Sequence, residues 1–170
     1  MQEIPPHKEK AAKEIITFYQ QVNKLDVKQA EALSDEISKS HLFIISIFFG
    51  YRASKEFNTT QLSEIFWILA TLWLYNKGSL ANKITPEKYD KIVDKNFEFL
   101  EYWAGENEKD KEKTLADYFK SHANDVILLF IMACVKEKKE FTNLSIEEKA
   151  KLILELKSVN DCLEQDRQEE

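Results

Sequence analysis

Apolar residues recur along this chain at helical spacing, in blocks parted by short polar stretches, and nowhere alternate as a strand would require. Ile15, Phe18, Tyr19 and Val22 make the first stripe, behind Pro5 and Pro6, which a helix accepts in its opening turn. A second helix is predicted from about Asp26 to Arg52, polar in its first half and apolar in its second. The third opens at "NTTQLSE", where Asn58, Thr59 or Thr60 can cap it, and stops near Gly78. The fourth has Thr85 as cap, Pro86 as first helical residue and Glu87 in its first turn, and it ends at Gly105. After the solvated stretch "ENEKDKEK", a fifth helix spans about Lys111 to Lys138. The sixth begins with "SIEE", a capping box of Ser145 and Glu148, and continues to about Gln165.

No internal repeat and no long linker divides the pattern. The expected architecture is therefore a single all-α domain over residues 1–170, frayed at about 1–5 and 166–170. It is a compact bundle of about six helices. The second, third and fifth are apolar nearly all round, which places them at the centre.

Three runs are greasy enough to raise a different question: Leu42–Phe49, Ile65–Tyr75 and Val126–Val135. A membrane-spanning helix needs about 20 mostly apolar residues. Each run is much shorter, and the last is followed at once by "KEKKE". They are expected to be buried core, with no membrane as partner.

Composition narrows the partners further. The chain has 24 basic and 30 acidic residues, a net charge of −6. Such a balance repels phosphate backbones and anionic lipid, so nucleic acid is not expected as a partner. The opening segment "MQEIPPHKEKAAK" has no apolar signal core, which points to the cytoplasm. The two cysteines, Cys134 and Cys162, form no CxxC or Cys/His cluster, and Cys134 lies inside an apolar run as a small hydrophobe.

Enzymatic signatures are missing: no phosphate-cradling glycine loop, no GxSxG elbow, no HExxH and no calcium-binding loop. Glu31, Asp35 and Glu36, and likewise Glu98 and Glu101, sit among lysines and are expected on solvated faces. No catalytic residue, metal or cofactor is expected.

Two histidines stand out. At about 100° per residue, His41 shares a face with Ile37, Ile44, Ile45 and Phe48, and His122 shares one with Leu115, Phe119, Val126 and Leu129. Both imidazoles point at the core, where each needs a polar partner. Tyr118, Asp125 and Ser46 are close enough in sequence to serve. Should His41 and His122 meet, they would frame a central pocket for a small molecule, a metal or a haem.

Aromatics give the second lead. Tyr102 points away from the apolar stripe of its helix, among Lys91, Lys95 and Glu98, with Phe99 on the flank. Trp67 lies off the stripe of Leu62, Phe66, Leu69 and Trp73. Off-stripe aromatics are enriched at interfaces. The favoured expectation is a binding protein that contacts another protein, or a second copy of itself, through such a surface. An immunity-type or antitoxin-type inhibitor of a basic toxin has this profile by charge and class.

Overall fold

A computed structural model describes residues 6–50, 56–76, 85–121 and 125–168. These form seven α-helices and a short 3₁₀ turn, with no strand among the described residues. In chain order the helices are α1 (Pro6–Val22), α2 (Val27–Phe49), α3 (Thr59–Tyr75), α4 (Pro86–Ala104), α5 (Glu108–Ser121), α6 (Val126–Glu137) and α7 (Ile146–Gln168), and the 3₁₀ turn is Lys139–Phe141. The helices pack on one another as an all-α bundle.

Local chemistry sets the boundaries. Asp26 and Gln29 form a capping box at the start of α2, and Asn58 and Gln61 form another at α3. Thr85 accepts from the Lys88 amide ahead of Pro86, and Ser145 and Glu148 satisfy each other's amides before α7. Each cap supplies about 0.5–2 kcal/mol by pairing amides that the helix cannot reach. Gly105 closes α4 as expected. The third helix ends at Tyr75 with Asn76 as its cap, while the expected stops at Gly78 and Arg52 lie outside the described residues.

The expected fifth helix is two helices. Asp125 accepts a hydrogen bond from the Leu128 amide at 2.9 Å and starts α6 anew, so the helical phase does not carry through from α5. Leu129, expected on the core-facing side, is consequently 42% exposed, while Leu128, Ile131 and Val135 are buried.

The core also draws on a helix whose sequence does not advertise it. α7 packs against α4 and α6 and reaches α3. It buries Leu152, Ile153, Leu156, Val159, Cys162 and Leu163, and with them Ser158 and Asn160. The polar pair is tolerated because each finds a partner: Ser158 donates to the Leu154 carbonyl, and Asn160 accepts from Asn76 of α3. α3 and α7 thus hold the centre. α1 lies against α3 and α6, α5 lies against α4, and the main neighbour of α2 is α3.

Candidate functional site

His41 is buried, on the face it shares with Ile37, Ile44 and Phe48. Its polar partner comes from α3: the Trp73 indole nitrogen donates to His41 Nδ1 at 3.2 Å. At the same residue the backbone leaves helical geometry (φ −141°, ψ 55°), so α2 is two helical pieces joined by a kink. His122 lies outside the described residues. Ser46 is exposed and turns back to donate to the Phe43 carbonyl of its own helix. Asp125 is occupied as the cap of α6. Trp73, which the sequence did not single out, is thus a partner of His41.

Tyr118 and Asp125 do share surroundings, but with other groups. Burial raises the Tyr118 phenol, and the nearby charges of Asp161 and Asp125 add to it. Glu164 belongs to the same neighbourhood. Burial lifts its carboxyl above the ordinary value of 4.5; the Asn160 hydrogen bond works against that, and Asp161 and Asp125 reinforce it. Asn96 bridges α4 to α7 here, donating to Ser158 and to Asp161 at 3.0 Å each. Lys157 pairs with Asp161 at 2.6 Å. This is a polar seam between helices, and sequence inspection misses it because its members are ordinary surface residue types.

A second polar knot joins α1, α3 and α6. Lys138 Nζ lies 2.7 Å from Glu64 and 5.4 Å from the centre of the Tyr19 ring. Burial opposes the Lys138 ammonium, but Glu64 and Tyr19 outweigh it and hold its pKa above the usual lysine range. Burial pushes the neighbouring Cys134 thiol up to about 11, far from the thiolate that a nucleophile needs. Among the described residues, no group of three or more His, Cys, Asp or Glu side chains could hold a metal ion. Nor is any helix among them long and apolar enough to cross a membrane.

The off-stripe aromatics divide. Tyr102 is 63% exposed on α4. Phe99 is half-buried and stacks on Tyr118, centroids 3.9 Å apart, which ties α4 to α5. Trp67 is half-buried, edge-on to Phe66 at 5.2 Å. With Phe66, Leu25 and Val27 it lines an open groove of about 320 Å³ between α3 and the start of α2, which Asp26 and Glu31 also line.

A second groove of about 350 Å³ lies along the opposite side of α2, lined by Val22, Leu25, Leu33, Leu74 and Glu36. At about 100° per residue, the α2 residues of the first groove (Val27, Ala30, Glu31, Ser34) point opposite to those of the second (Gln29, Ala32, Leu33, Glu36). No residue from 27 to 36 is fully buried. The first half of α2 is thus a ridge with a channel on either side. No family model, curated protein or solved structure matches the chain.

Proposed function

We propose that this protein is a binding module that engages another protein through the face formed by α2 and α3. The observation that carries this reading is the first groove: Trp67, Phe66 and Val27 offer apolar surface to solvent, Val27 with 74% of its area exposed. A tryptophan lining an open apolar groove is the kind of anchor on which interface energy concentrates.

The competing reading, a ligand pocket around His41, has less support. The space beside its Nδ1 is filled by the Trp73 indole, and both grooves lie along the first half of α2, lined by neither residue. Within the proposal the protein acts in the cytoplasm, where the buried thiols of Cys134 and Cys162 would stay reduced.

The test compares Trp67→Ala with Leu129→Ala, a change of an exposed leucine on α6. Leu129→Ala should melt close to wild type; Trp67→Ala, which removes a half-buried ring packed on the core, should melt lower yet stay folded by circular dichroism. In affinity purification from the native source, a partner recovered with wild type and with Leu129→Ala should be lost with Trp67→Ala. Equal recovery with both variants, or a stoichiometric small-molecule adduct in native mass spectra, would refute the proposal.

A further inference from the structure

The groove lining also restricts what kind of partner segment can enter. Resting on the binding-module reading, we propose that the α2–α3 face receives an amphipathic helix whose apolar anchors are flanked by lysine or arginine. Both grooves are open to solvent, and both run along a helix. Such a surface suits anchors at helical spacing, with the partner backbone lying above.

Charge selects the flanks. Every charged residue lining the two grooves is acidic: Asp26 and Glu31 in the first, Glu36 in the second. Asp35 is exposed on the same ridge, where Lys28 is the one base between Asp26 and Ser38. Lys24 and Lys39 stand beyond its ends. A second copy of the chain is a poor occupant. With a net charge of −6, a two-fold interface would set this acidic ridge against itself. Exposed carboxylates steer and select more than they tighten, so the apolar anchors supply most of the affinity and the acids supply the preference.

The experiment uses the full chain and three synthetic helical peptides. They share one leucine face and carry lysine, glutamine or glutamate on the other. Binding is read by anisotropy of labelled peptide and by intrinsic fluorescence. Trp67 is the informative tryptophan, because Trp73 and Trp103 are only 4% and 2% exposed.

The lysine peptide should bind roughly tenfold more tightly than the glutamine peptide, a difference of about 1.4 kcal/mol, and the glutamate peptide should bind weakest. Glu31→Lys with Asp35→Lys should erase that preference, whereas Asp94→Lys with Glu98→Lys on α4 should preserve it. Trp67→Ala should weaken the lysine and glutamine peptides alike. Equal binding of these two peptides to wild type would overturn the charge preference and leave the binding-module reading standing. Lysine-peptide binding that survives Trp67→Ala would overturn the groove as the site. Self-association abolished by Val27→Glu would assign the face to a second copy. If no peptide binds, the helix proposal falls. The binding-module reading falls separately, by the recovery experiment above.

Discussion

Leu128 and Leu129 are chain neighbours in a very apolar helix, and the bundle uses them in opposite ways. Leu128 keeps 1% of its surface in solvent and Leu129 keeps 42%. Truncating Leu128 to alanine forfeits most of the roughly 1.5–3 kcal/mol that a buried leucine gains over an exposed one. α6 is packed between α1 and α7, so the wall can close only partly over the gap. With the cavity included, Leu128→Ala should cost about 2.7–5 kcal/mol. Leu129→Ala opens no cavity and should stay within about 0.5 kcal/mol of wild type.

Urea unfolding followed by far-ultraviolet circular dichroism distinguishes the two. At a slope of about 1–3 kcal/mol per molar, a loss near 3 kcal/mol moves the midpoint by about 1–3 M. The Leu129 variant should unfold within a fraction of a molar of wild type. Equal losses, or a larger loss for Leu129→Ala, would show that α6 presents a different face to the core. The phase set by the Asp125 cap would then be wrong.

Three further outcomes follow from groups already placed. His41→Leu should cost about 1–3 kcal/mol by leaving the buried Trp73 indole without its acceptor; Trp73→Phe made in the same background should then cost less than it does alone, and strict additivity would sever the pair. Glu164 holds its proton more firmly in the folded state than in the unfolded one, chiefly through burial, so its contribution is full below pH 4.5 and fades as pH rises through the folded value. Glu164→Gln should therefore melt higher than wild type at neutral pH, with the gain vanishing below pH 4.5, and parallel pH profiles would rule this out. Cys134 and Cys162 are both buried, and burial raises the Cys134 thiol, so alkylation should proceed only as fast as the protein opens; rapid labelling of the native protein would contradict their placement.

Much of the helical layout was legible because caps are local. The Ser145–Glu148 box, Thr85 with Pro86, and Gly105 each act within one turn, and each lies where the sequence puts it. The break ahead of α6 was harder to see, since Asp125 reads equally as a core-facing polar residue or as a cap. Periodicity carried through that break assigned Leu129 to the wrong side. The burial of α7 was hidden for a different reason. Ser158 and Asn160 look like surface residues until Asn96 and Asn76 of other helices are brought against them. Pairing across the bundle, not residue type, makes that helix central.

The candidate surface was half legible in the same sense. Trp67 declared itself by standing off its stripe, whereas the groove beside it depends on how α2 sits. Ile37, Ile44 and Phe48 anchor the second half of that helix, and the His41–Trp73 bond fixes it at the kink. The first half is held only along one narrow edge, and both grooves open from that overhang. On the proposed reading, stability and recognition are seated on different halves of one helix. Changes at Glu31 or Asp35 should alter binding with little effect on melting. Changes at Ile44 or Phe48 should lower melting first and impair binding only as a consequence, because the ridge is no longer held in place.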